Sequence, residues 1–269
     1  MEHGGIGKKL IATEFAKMLL CTTNNLEEKY CNKCKSCVEF NSNNNPDFLL
    51  IEPDGNSIKI EQIRYLQQKI QEKPIISEKK VYIINDADLM TNEASNCLLK
   101  TLEEPPEFAT IILIGNNENS FLTTIKSRCM IIKFENIKNE EIKEFLNKNY
   151  NLSNINENIL ETFQGSIGKA ISLKDKQEEY EKLQKMINDL DKKDIIDIVK
   201  LGEILYKSKE DILDLLDYIN IILIKKAKEN YVYTYCIEIV ENTKKRLNGN
   251  GNYDMCIDNM IFNMWGVLN

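Results

Sequence analysis

Residues 79–134 read KKVYIINDADLMTNEASNCLLKTLEEPPEFATIILIGNNENSFLTTIKSRCMIIKF, and the fold turns on this stretch. Val81-Tyr82-Ile83-Ile84 is an unbroken apolar run, the pattern of a strand covered on both faces in a parallel sheet. Asn85-Asp86-Ala87-Asp88 forms a polar turn at its carboxyl end. A helix is expected from Asn92 to Glu104, with Ala94, Cys97, Leu98 and Leu102 on its buried face, ended by Pro105-Pro106. Ala109–Ile114 reads as the next strand, leading into Gly115-Asn116-Asn117, and Met130-Ile131-Ile132 as the last one, entered through Ser127-Arg128-Cys129. Strand, acidic turn, helix and strand in this order describe a nucleotide-handling α/β domain. In such sheets ligands sit beyond the carboxyl ends of the strands, so Asn85, Asp86 and Asp88 point to a site.

Working upstream, residues 2–9 (EHGGIGKK) fall where a phosphate-binding loop G-x-x-x-x-G-K-[ST] would lie, ahead of a helix with Ile11, Phe15, Met18 and Leu19 facing one way. Gly7 and Lys8 keep the pattern. Glu2 replaces its first glycine and Lys9 its Ser or Thr, and a lysine cannot ligate a cation that needs oxygen. A glycine-rich turn capping a helix and a working ATP site are both readings of this segment. We read a degenerate phosphate loop that binds nucleotide weakly or not at all. The strand that should precede such a loop has no counterpart before Met1, which leaves open a natural start upstream. At the carboxyl end of Val81–Ile84 a hydrolysing site wants Asp then Glu. The neutral amide of Asn85 stands in the first place, a second departure on the catalytic side.

Between these two regions the chain carries Cys21, Cys31, Cys34 and Cys37. Two successive C-x2-C steps set sulfurs on tight turns around one point, and Cys21 at the end of the first helix supplies the fourth corner of a tetrahedral thiolate site. The loop is too poor in apolar residues to bury four thiols for their own sake. With four protein ligands no position stays open for water, so the expected zinc is structural. Cys97, Cys129, Cys236 and Cys256 read as core residues. Pro46–Ile51 reads as a short strand, and a helix follows from Lys59 with Ile60, Ile63, Leu66 and Ile70 on one face until Lys73-Pro74.

Composition bounds the function. The chain has 269 residues, 29% charged and 42% hydrophobic, which is globular and long enough for more than one domain. A net charge of −7 argues against a broad basic face gripping nucleic acid alone. No apolar run is long enough to span a membrane and no secretory segment opens the chain, so a cytosolic, cytoplasmic protein is expected, with reduced thiols available to metal. His3 is the single histidine, which removes His-based triads and HExxH zinc sites.

With these pieces in place the chain resembles the bacterial clamp-loader branch of the AAA+ ATPases, and within it the delta-prime group. The residues that carry the resemblance are the four inserted cysteines, Ile83–Asp88, Leu98-Leu99-Lys100-Thr101-Leu102-Glu103-Glu104-Pro105-Pro106 and Thr124–Cys129. It spans residue 4 to about 175, and the remainder matches only as a helical segment. The resemblance implies an AAA+ α/β domain over residues 1–136 with a zinc insert at 21–37, a helical lid over 137–175 and a helical collar over 176–269. It implies that Arg128 is an arginine finger reaching the ATP of a neighbouring subunit. Asp86 would be the remnant of the metal-holding acid, and Lys169, in Gly165–Ala170, would hold the place of a lid phosphate sensor or be an ordinary exposed lysine. The implied partners are the loader ATPase subunits, the delta subunit, the sliding clamp and primed DNA. Glu2, Lys9 and Asn85 together favour the accessory subunit over its ATP-hydrolysing gamma/tau-type relative. A zinc-dependent nucleic-acid-binding module would need basic and aromatic residues beside the thiols, and only Lys29, Lys33 and Lys35 with Tyr30 qualify.

Beyond Asp175, charged and apolar residues alternate at helical spacing, with Tyr180, Leu183, Met186, Ile187 and Leu190 on one face. Asp217–Ala227 is apolar nearly all round, which suits a buried helix. Gly249–Asn252 breaks the chain before a last helix carrying Met260, Ile261, Met264 and Trp265.

Overall fold

The computed structural model describes residues 5–23, 30–190, 195–249 and 251–269. Glu2, His3, Gly4, Lys29 and Asn250 lie outside the described residues. The chain divides into two compact units, Met1–Asn136 and Ile137–Asn269.

The first unit is built on a parallel sheet of β1 (Phe48–Ile51), β2 (Lys80–Ile84) and β3 (Ala109–Leu113) in that spatial order. Val81 is level with Phe48 on one side and Thr110 on the other. The central strand β2 is buried along its whole length, as its apolar run requires. Alternate residues divide between two faces. Tyr82 and Ile84 join Ile51, Ile63, Leu66, Ile70, Ala94 and Leu98, these six drawn from β1, α3 (Ile60–Ile70) and α4 (Asn92–Glu103). Val81 and Ile83 join Ala16, Leu20 and Phe40 under α1 (Lys8–Leu20) and α2 (Lys35–Asn41). Thr91 caps α4 by accepting from the Ala94 N–H, which fixes where the helix starts after the acidic turn.

Three expectations are corrected here. On α1, Ile11, Phe15 and Met18 face outward, 53%, 43% and 40% exposed, while Ala12, Ala16, Leu19 and Leu20 meet the sheet. Both stripes have helical spacing, and the alanine stripe lets the helix approach more closely. Met130-Ile131-Ile132 forms no strand, and Met130 and Ile132 are 89% and 72% exposed. β3 is the sheet's edge, and a cleft lined by Leu113, Phe121, Ile125, Met130 and Ile132 separates that segment from it. An apolar run becomes a strand only where a neighbour completes its backbone ladder. Of the cysteines assigned to the core, Cys236 and Cys256 are buried, whereas Cys97 and Cys129 are half-buried, Cys97 facing the Gln67 side-chain oxygen.

The second unit is helical: α6 (Asn139–Tyr150), α7 (Glu157–Thr162), α8 (Ile167–Leu173), α9 (Gln177–Asn188), α10 (Ile195–Lys207), α11 (Ile212–Ala227), α12 (Tyr233–Asn248) and α13 (Tyr253–Leu268) follow α5 (Thr123–Lys126) of the first unit. The nearly all-apolar α11 is central, with Leu215, Leu216, Tyr218, Ile219, Ile222 and Leu223 buried. Ile142 and Leu146 of α6 belong to the same apolar cluster as Met260 and Met264 of α13. Among the described residues no helix is long and apolar enough to cross a membrane.

Candidate functional site

The four cysteines converge. Cys21 follows the last turn of α1, Cys34 is the residue before α2 and Cys37 lies in its first turn. The C-x2-C spacing turns backbone N–H groups onto the preceding sulfur: Cys34 donates to Cys31 Sγ at 3.2 Å and Cys37 to Cys34 Sγ at 3.4 Å. Lys33 donates to Cys31 Sγ at 3.4 Å and Cys31 to Cys21 Sγ at 3.5 Å. Sulfur separations are 3.7 Å for Cys21–Cys31 and 4.0 Å for both Cys21–Cys34 and Cys31–Cys37. All four sulfurs lie within 4.8 Å of one another. A tetrahedron of thiolates about 2.3 Å from a central ion has edges of about 3.8 Å, so the set fits a four-coordinate metal ion. The thiols differ in acidity. The Thr23 hydroxyl and the N–H groups of Lys33 and Cys34 pull Cys31 down to about 5. Burial, with Cys34 beside it, pushes Cys37 up to about 12. Metal uptake at such a site displaces protons.

The carboxyl end of the sheet gathers the remnants of the phosphate loop. Gly7 adopts the left-handed conformation, φ 93°, and opens α1. The Lys8 ammonium donates to the Gly115 carbonyl at 2.8 Å, tying the loop to the end of β3. Lys9, where a working loop has its hydroxyl, pairs with Glu52 beyond β1 at 2.7 Å. Asp86 sits at φ 50°, and both its oxygens accept from neutral amides, Asn85 at 2.9 Å and Asn116 at 3.1 Å. The expected residues Gly7, Lys8 and Asp86 are thus assembled at one end of the sheet, with their polar groups engaged inside the unit. Asn116 and Glu52 complete the arrangement. In the sequence Gly115-Asn116-Asn117 allowed either a simple turn or a polar side chain that meets a γ-phosphate or orients water, and nothing linked Glu52 to Lys9.

Arg128 lies on the turn after α5 and stays partly exposed, its side chain at 32%. Its guanidinium donates to the Thr124 carbonyl at 2.9 Å and to Glu103 at 2.7 Å. Glu103 closes α4 within the Leu-Leu-Lys-Thr-Leu-Glu-Glu string, so two separately quoted motifs meet in one ion pair. Lys169 belongs to the second unit, where Asp214 at 2.8 Å and Asp217 at 3.9 Å hold its ammonium against α11.

The chain is 39% identical over 142 residues to DNA polymerase III subunit delta' of Bacillus subtilis, covering 53% of this chain and 43% of that one. It is 34% identical over 128 residues to the Pseudomonas aeruginosa subunit delta', covering 47% and 39%. Against DNA polymerase III subunit gamma of Buchnera aphidicola it is 38% identical over 143 residues, covering 53% and 39%. The chain thus spans less than half the length of these curated relatives. The crystal structure of a DNA polymerase III gamma subunit-related protein from Thermotoga maritima matches 98% of this chain and 100% of that one, with a TM-score of 0.50 at 18% identity, a likeness of fold alone. The α/β unit followed by helices is the architecture expected of AAA+ clamp-loader subunits. Residues 2–138 match the family described as DNA polymerase III, delta subunit, and the chain belongs to that family.

Proposed function

We propose that the chain is an accessory, non-hydrolysing clamp-loader subunit of the delta-prime type. It lends Arg128 to the ATP bound by a neighbouring subunit and helps place a sliding clamp on primed DNA in the cytoplasm. The observation that carries this reading is the Lys9–Glu52 ion pair at the position where a hydrolysing site needs a hydroxyl for its cation. Asp86 under two amide donors supports it further. ATP binding by the chain itself is weak or absent. The four cysteines hold a structural zinc, residues 137–175 act as a lid and 176–269 as a collar that meets the ATPase subunits and delta.

Arg128 suits a role in trans because, among the described residues, its ion-pair partner is one exposed carboxylate, Glu103. Surface ion pairs are worth only about 0–1 kcal/mol, so a neighbour's phosphate can compete for the guanidinium. The test is reconstitution with the ATPase subunits, delta, the clamp and primed DNA. Clamp loading should depend on this chain. Arg128→Ala should leave it folded and slow hydrolysis at the site it serves by about a thousandfold. Unchanged DNA-stimulated turnover in the Arg128→Ala complex would sink the proposal.

A second reading, an ATP-hydrolysing gamma/tau-type subunit, has one observation behind it: the gamma relative is about as similar as the delta' one, 38% against 39%. Equilibrium binding of a fluorescent ATP analogue separates the two, since tight, magnesium-dependent binding belongs to the hydrolysing subunit.

A further inference from the structure

We propose that Lys17 is a positioning residue for the four-cysteine site, an inference that rests on that site's holding a metal ion. Lys17 lies on α1, one turn before Cys21, and is only 8% exposed. Its ammonium donates to Asn32 Oδ1 at 2.6 Å and stands 3.9 Å from the centre of the Tyr30 ring. Those two residues flank Cys31. The helix therefore grips the loop on both sides of one ligand. Glu14, one turn earlier on the same helix, reinforces the grip by accepting the Tyr30 hydroxyl.

The loop needs such a hold because it has little apolar sequence of its own. Asn32 takes the left-handed conformation, φ 57°, which Asn tolerates better than most side chains. That turn presents the N–H groups of Lys33 and Cys34 to Cys31 Sγ. Holding the Asn32 side chain thus fixes the direction of the Cys31 ligand.

The experiment uses the full chain loaded with zinc or with cobalt(II). Wild type should hold one ion, and the cobalt form should show thiolate charge-transfer bands. Lys17→Met keeps the aliphatic stem and removes the charge. Asn32→Gly keeps the backbone turn from an exposed loop position and removes the acceptor. Each should give up zinc to a chromogenic chelator about 10–100-fold faster than wild type, the usual effect of losing a group that orients a ligand. Their double variant should be no faster than the faster single, and Lys17→Arg should recover part of the loss. Circular dichroism and thermal melting establish that Lys17→Met is folded, and Asn32→Gly reports independently of that helix. Wild-type release rates in both Lys17→Met and Asn32→Gly overturn the clamp while leaving the metal site standing. A wild-type chain that takes up neither ion through sulfur overturns both.

Discussion

Gly115 is a place where a single missing atom matters. A Cβ there would stand 2.5 Å and 2.6 Å from two carbons of the Phe121 ring and 3.1 Å from Asp88 Oδ1. Gly115→Ala must push the ring aside, and overpacking of this kind costs about 1–3 kcal/mol. Urea unfolding should show that loss, and Phe121→Leu in the same chain should restore part of it. Full stability in Gly115→Ala would mean the ring yields freely. Nothing in the sequence marked Gly115 as a packing position, because the close approach is made by a residue outside its own turn. The same limit hid Glu103 behind Arg128, Glu52 behind Lys9 and Asn32 behind Lys17. The clustering of four cysteines was legible for the opposite reason. C-x2-C spacing is itself geometry, since residues three apart at a helix start face the same point, and Cys21, Cys31, Cys34 and Cys37 do meet.

Elements followed the apolar pattern wherever that pattern had a single solution. β1, β2 and β3 fall on the runs that suggested them, and α3 buries Ile63, Leu66 and Ile70 as spaced. α1 offered two stripes, and periodicity cannot choose between them. Met130–Ile132 had strand composition without a partner edge. One anchor of the sheet escaped the pattern altogether. Asp47, leading into β1 and buried, accepts from the N–H groups of Ile75, Ile76 and Ser77, each at 2.8 Å, and so binds the loop after α3 to the sheet. Removing it strands three backbone donors, at about 1–3 kcal/mol for each one left dry. Water reaches part of this half-buried loop, so Asp47→Ala should cost about 3 kcal/mol in urea unfolding. Hydrogen exchange at the Ile76 and Ser77 amides should accelerate well beyond the change in global stability. Equal protection in the variant would show that another acceptor takes over.

Over the whole molecule, the two units, Met1–Asn136 and Ile137–Asn269, carry separate apolar clusters. What composition did not reveal is how many tyrosines the clusters enclose. Tyr82 in the first unit and Tyr253 in the second are pushed up to about 12, in both cases chiefly by burial. Burial likewise raises Tyr180 and Tyr218, whose rings pack edge-on with centres 4.7 Å apart. A raised phenol stays protonated in the folded chain after its unfolded counterpart, at about 10, has ionised. The unfolded state then binds fewer protons than the folded one, so stability falls with rising pH. Each contribution is therefore complete below pH 10 and is lost as pH rises toward 12. An alkaline titration should show part of the phenolate absorbance appearing only together with loss of the helical circular-dichroism signal. Tyr218→Phe removes one such group along with its hydrogen bond to Gln184. It should cost about 1 kcal/mol near neutral pH and make the alkaline limb shallower by up to one proton. If all phenolate absorbance developed before any helix was lost, the buried tyrosines would not be the groups that link this fold to pH.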